Sequence, residues 1–425
     1  MHSRIAKTVT AIAATLAATG AWADIFWTGN GTTTDWADSG NWDSGSGNRV
    51  FRHSKKDFTK KTVSFSSLVD LANDLWVQNN ETSSGDTEPI VFSADDSASG
   101  LNLTAKLNVA SNNDGDGYLE VASGTHTFGG GTDIGGGTCT GSFRQSGGTV
   151  NASGWFCVGL SGNGYHYQTA GSFIHSGNVA YIVGQGTGSG TSTISGGTMT
   201  LNGVADKAEY SVYVGENAGT GVWNLSGDAV VTTAKKVGLG KANAAGRGFL
   251  NVADNAVLTV NDELWVGLSG IGHLTVSNNA SVSCTDLVLS RNDYDEADEN
   301  ASTATISGGE VTCTKLWLPY GKNRKAVMKV SGGTLVSTGA NSSIGRGYAS
   351  TCDFTVSNGV FKAYEDVFIG GQGSATVNIE DGGYMTVGWS GRDKWAKMNN
   401  EVGDNSKSRL NLNGGVSRQR ASRQK

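Results

Sequence analysis

Residues 326–345 read AVMKVSGGTLVSTGANSSIG, and these twenty positions decide the fold. Met328 and Val330 stand two apart, as residues sharing one face of a strand do. Ser331 then leads into Gly332-Gly333, the residue type that accepts positive φ at least cost, so the chain turns sharply there. Leu335, four residues after Ser331, opens a second apolar segment, and Ile344-Gly345 closes a third. Three short strands and three turns fit into about 25 residues, which is one coil of a parallel β-helix.

The unit recurs along the chain as LEVASG, FRQSGG, STISGG, WNLSGD, LNVADN, LTVSNN, ATISGG, FTVSNG, VNIEDG and LNLNGG. The residue before each turn is Ala122, Ser146, Ala170, Ser195, Ser226, Ala253, Ser277, Ser307, Ser331, Ser357, Glu380 and Asn413. An independent marker keeps step with these anchors, the aliphatic-Gly pairs Ile134-Gly135, Val158-Gly159, Val183-Gly184, Val214-Gly215, Val266-Gly267 and Ile369-Gly370. The expected fold is all-β, a right-handed parallel β-helix solenoid of about twelve rungs. At about 4.8 Å per rung it forms a rod of roughly 60 Å.

Composition agrees. The 425 residues include 63 glycines and only 2 prolines, with 16% charged residues, which argues against an ordinary helical enzyme. Apolar residues at 37% are too many for a disordered chain. Arg4 and Lys7, the apolar run from Val9 to Leu16 and the small-residue site Ala21-Trp22-Ala23 form the three-part pattern of a secretory leader. Without residues 1–23 the charge balance of 32 basic against 38 acidic residues becomes 30 against 38, a net −8. Such a chain is a poor partner for nucleic acid. No later stretch has the roughly 18 apolar residues of a membrane-spanning helix.

The expected organisation is a leader over 1–23, a head over 24–100, repeats over 101–416 and a basic polar tail over 417–425. Trp27, Trp36, Trp42 and Trp76 are concentrated in the head, where the first rung of a solenoid needs a cap over its unpaired strand edges. Their alternative use is carbohydrate binding.

The units VSGG-x-[VL] and LWVG, the Gly-rich linkers and the leader together resemble the autotransporter-associated β-strand repeats of bacterial secreted and surface proteins, a pertactin-like β-helix. The opening Phe26-Trp27-Thr28-Gly29, Trp36 and Asn41-Trp42 resemble the W-x-G…W…NW head of many such proteins in Gram-negative bacteria. The resemblance implies a secreted, cell-surface or outer-membrane-associated protein with an adhesin-like or structural role. Its fold is that of the pectin lyases, so adhesins, lyases and inert spacers are all compatible with it. The expected member lacks the C-terminal membrane barrel, because no series of ten-residue alternating strands follows the last unit.

Three functions follow from this reading. The first is a non-enzymatic rod, structural or adhesive, whose partners are surface polysaccharide or other cell-surface proteins. The second is glycan attachment through Trp27, Trp36 and Trp42 of the head or through Tyr213, Trp265 and Trp317. Those three share one position of the third strand with Phe368 and form a broken aromatic stripe on an outer face. The third is a polysaccharide lyase or hydrolase. Glu263 and Asp286 each immediately precede the third strand in adjacent rungs, with Lys315 next in the column, so the carboxylates stack about 5 Å apart, near the spacing of a retaining glycosidase pair.

Metal sites are weakly signalled. Asn112-Asn113-Asp114-Gly115-Asp116-Gly117 resembles half of a calcium loop, but Ser123 stands where the bidentate acid belongs. Asp293 and Asp295 open the densest acidic run. No cofactor is implied. The five cysteines lack CxxC spacing; Cys284 and Cys313 are expected to stack in neighbouring rungs, with parallel strands orienting both side chains alike against a bridge.

Overall fold

The computed structural model describes residues 24–52, 61–78, 89–110, 115–177, 179–203, 209–241, 245–293, 300–388, 396–398 and 407–419. The leader, Asp114, Asp295 and the end of the tail lie outside these.

The described chain is an all-β solenoid of about 13 turns. Each turn contributes one strand to each of three faces. The first face is a 14-stranded parallel sheet running from Thr62–Phe65 to Arg409–Leu412. The second and third faces join into one 27-stranded sheet, because the nine-residue strands Ser281–Leu289 and Glu310–Leu318 run through the corner between them. Helix among the described residues is the single 3₁₀ turn Ser39–Asn41 in the cap.

Alternation sets the core. Thr220–Leu225 and Ala301–Ile306 bury every second residue, and the register stacks each buried side chain on its equivalent one rung away. Met328, Phe354, Val377 and Leu410 form one such column. A second column lies at the start of the first strand, where Gly117, Gly141, Gly164, Gly190, Gly221, Gly248 and Gly272 are successive partners. It packs against the previous corner, at which Gly135, Gly159, Gly184, Gly215 and Gly267 have φ between 72° and 84°. Side chains would collide with backbone there.

Two features differ from the sequence expectation. The rungs begin earlier, since Arg49–Arg52, Leu75–Gln78 and Leu107–Val109 pair in series, as do Thr62–Phe65, Ile90–Ala94 and Gly117–Val121. Much of the expected head is therefore solenoid. The third repeat anchor is also displaced by one residue. Gln145 pairs with Gln168 and Phe143 with His166, so Thr169, not Ala170, occupies the turn position.

That shift turns His166 and Gln168 inward and Tyr167 outward, where it stacks on Tyr165 with ring centroids 6.1 Å apart. Inside, Tyr181 donates to Ser192 Oγ at 2.9 Å and His166 Nδ1 lies 2.7 Å from the Tyr181 hydroxyl. Gln168 Nε2 donates to the carbonyls of Gly171 and Thr198, and Gln145 Nε2 to those of Gly148 and Ser172, so each amide staples two successive turns. Burial, the main cause, lowers the imidazolium pKa of His126 to about 4 and of His166 to about 3.

The Trp-rich cap closes the first rung. Trp27 packs edge-on against Trp42 at 5.0 Å, Trp42 against Trp36 at 4.7 Å, and Trp36 stacks on Phe65 at 5.6 Å. Trp42 Nε1 donates to the Trp36 carbonyl at 2.9 Å. The fully buried Asn41 amide donates to the carbonyls of Thr33 and Asp35. The NW pair thus serves the cap directly, Asn41 tying its loop and Trp42 joining the other two indoles.

None of the five cysteines is in a disulfide. Cys284 and Cys313 are register partners, and burial pushes the Cys313 thiol up to about 12 and the Cys284 thiol well above its usual value. Neither ionises readily enough to attack a disulfide. Thiol titration of the unfolded, unreduced protein should therefore find five thiols per chain; three would show that this pair had closed.

Candidate functional site

The chemistry outside the core is concentrated on the third face. One register column there runs Ile182, Tyr213, Gly238, Trp265, Val288, Trp317, Ser343 and Phe368. The expected stripe therefore exists, with small or aliphatic residues between its rings. It points away from the core yet is largely covered, forming a second apolar cluster with Tyr210, Leu268 and Val288. Trp265 is 5% exposed and Trp317 8%, while Tyr213 and Phe368 are half-buried.

Cations complete the cover. Lys236 Nζ lies 4.7 Å from the Trp265 ring centroid, and Arg291 reaches both Trp265 at 4.9 Å and Tyr320 at 4.1 Å. Arg346 lies over Trp317 at 4.2 Å and Tyr320 at 5.0 Å. Each such contact is worth about 0.5–2 kcal/mol, more where water is excluded. Sequence reading missed this layer because Arg291 and Arg346 come from linkers of irregular length, and Lys236 stands at the very start of its strand.

Glu263 and Asp286 do stack in adjacent rungs, since Leu264 pairs with Leu287 and Asp286 itself with Lys315. One oxygen of each is engaged by an indole. Glu263 Oε2 accepts the indole N–H of Trp265, and Asp286 Oδ2 that of Trp317 at 3.0 Å. Lys236 lies 4.0 Å from Glu263 and is more closely paired with Glu209 at 3.0 Å. The acids thus hold the polar edges of two stripe tryptophans, and the column flanks the two stacked acids with Lys236 on one side and Lys315 on the other.

A second polar column went unpredicted. Gln185, Glu216 and Lys241 are successive partners, with Gln185 Nε2 donating to Glu216 Oε2 and Lys241 Nζ to Glu216 Oε1, both at 2.8 Å. Lys241 also lies 3.4 Å from the Tyr213 centroid. Burial alone would lower its ammonium pKa; hydrogen bonds to Glu216 and Tyr213 outweigh that and raise it.

The calcium candidates act as rung-to-rung links. Asp116 accepts the Thr140 N–H at 2.6 Å and Asp293 that of Lys322 at 2.7 Å. Among the described residues no three His, Cys, Asp or Glu side chains gather as metal ligands. Of the head tryptophans, Trp27 is fully buried, Trp36 is 6% exposed and Trp42 is half-buried. Trp27 and Trp36 have no open ring face for a sugar.

Comparison with known protein families, curated proteins and solved structures finds no match to this chain.

Proposed function

We propose that the chain is a non-enzymatic, exported β-solenoid that serves as a structural or adhesive rod at the bacterial cell surface, of the autotransporter-associated repeat kind. The observation that carries this reading is the engagement of Glu263 and Asp286 by the Trp265 and Trp317 indoles. A retaining pair needs one carboxyl free to attack and the other free to deliver a proton; here each acid is anchored to a ring that covers the outer wall. The uniform stacking of rungs also favours a rod, whose stability adds up turn by turn and whose length is its useful property.

The three-part pattern of residues 1–23 supports export. No helix among the described residues is long and apolar enough to cross a membrane. The full chain expressed in a Gram-negative host should leave the cytoplasm with Asp24 as its new N-terminus, read by fractionation and N-terminal sequencing. A chain that stays cytoplasmic and keeps Met1 would overturn export.

A further inference from the structure

The third face carries a groove of about 560 Å³ between Trp317 and Phe368. One column explains its shape. Trp317, Ser343 and Phe368 are successive register partners, so a short side chain lies between two aromatic walls two rungs, about 10 Å, apart. Gly347, Gly370 and Gly371 add bare backbone to the lining. Arg346 lies 4.2 Å over Trp317 on one side of this gap, so the ring faces open to a ligand are those of Phe368 and Tyr348.

The lining mixes open rings with hydrogen-bonding groups of both signs. Tyr348 is 56% exposed and Phe368 half-buried, so both have ring surface to offer. Asn341, Gln372, Asp293 and the exposed Arg346 supply donors and acceptors around them. Arg346 is held at the rim by its contacts with Trp317 and Tyr320, which reduces the entropy lost on binding.

We propose that this groove binds a neutral polysaccharide, stacking its sugar rings on Phe368 and Tyr348 and hydrogen-bonding their hydroxyls through Asp293, Asn341, Arg346 and Gln372. A pyranose offers apolar C–H faces and a belt of hydroxyls, which matches rings interleaved with donors and acceptors. An apolar helix would leave these polar groups unpaired at a cost. Without residues 1–23 the net charge of −8 repels a polyanion at long range; within the groove Lys322 and Arg346 more than offset Asp293, so the bias against a polyanion is this long-range one. The proposal gives the adhesive reading a ligand class and rests on it.

Affinity electrophoresis of residues 24–425 through native gels containing hydroxyethyl cellulose, mannan, galactan or polygalacturonate tests it. At least one neutral polymer should retard the protein, and Tyr348→Ala with Phe368→Ala should weaken that retardation about tenfold or more. Arg346→Ala, away from the core, should weaken it while far-ultraviolet circular dichroism stays unchanged. Retardation by none of the neutral polymers, by polygalacturonate alone, or equally in the double variant and the parent would overturn the proposal. Export is read separately, so a chain that leaves the cytoplasm and binds nothing sinks the groove and leaves the rod.

Discussion

Gly221→Ala should destabilise the middle of the rod by about 3 kcal/mol or more, an overpacking cost at the upper end for a single added methyl. A Cβ at Gly221 would fall inside the contact radius of the Val183 carbonyl oxygen and lie 2.5 Å from Gly215 N. Both obstacles are backbone, at a corner where Gly215 already has φ of 74°. The strain has no flexible side chain to absorb it. Gly131→Ala is the matched control, because its nearest neighbour would be the Trp155 Cβ at an ordinary 3.7 Å; it should stay within about 0.5 kcal/mol of the parent. Urea unfolding gives the difference, and hydrogen exchange should show protection lost first in Tyr210–Asn217 and Thr220–Leu225. Equal midpoints for the two variants would mean the corner is looser than described.

Acid should loosen the N-terminal half of the solenoid well before carboxylates titrate. His126 and His166 are buried neutral, with folded-state pKa values lowered to about 4 and about 3 by desolvation. An unfolded histidine titrates near 6.5. Below that pH the unfolded chain takes up protons that the folded chain refuses, so stability is full above pH 6.5 and is lost as pH falls towards the folded values. From pH 7 to 5 the two groups together cost about 4 kcal/mol. His175, also lowered by burial, adds to the loss. Because rungs unfold by neighbourhood, hydrogen exchange at pH 5 should open the rungs of His126, His166 and His175 most and that of the half-buried His273 less, while those beyond Ser307 stay protected. His166→Phe, a ring in a column that already holds Phe143, should remove about half of the pH dependence. An unchanged slope would show that His166 is not held neutral in the core.

The same histidine shows where legibility ended. A strand announces itself by alternation, and alternation is visible only when the inward residues are apolar. In Asn163–Gln168 the inward residues are His166 and Gln168 and an outward one is Tyr167, so the pattern reads one residue out of step. The rungs before residue 100 were hidden differently: Thr62–Phe65 and Ile90–Ala94 lack the Gly-Gly turn that marks later units. Where apolar columns coincide with turns of Gly, Asn or Asp, as from Ser226 to Glu380, anchors and register agree.

The third face was half legible. Strand position placed Tyr213, Trp265, Trp317 and Phe368 in one column and stacked Glu263 on Asp286, because strand-end pairs fix the register. What covers the rings was not legible. Arg291, Arg346 and Tyr320 belong to linkers, whose path the period does not set. Nor does spacing reveal that an indole N–H lies within reach of a carboxylate, which is why the acid pair looked free in the sequence and is engaged in the fold.

Purified residues 24–425, incubated with pectate, alginate and neutral glucans with and without calcium, should leave every polymer uncut. New unsaturated ends are followed by ultraviolet absorbance and new reducing ends by colorimetry. No product should appear above the protein-free control in any mixture. Turnover that disappears in Glu263→Gln or Asp286→Asn would contradict it and make the stacked pair a catalytic one.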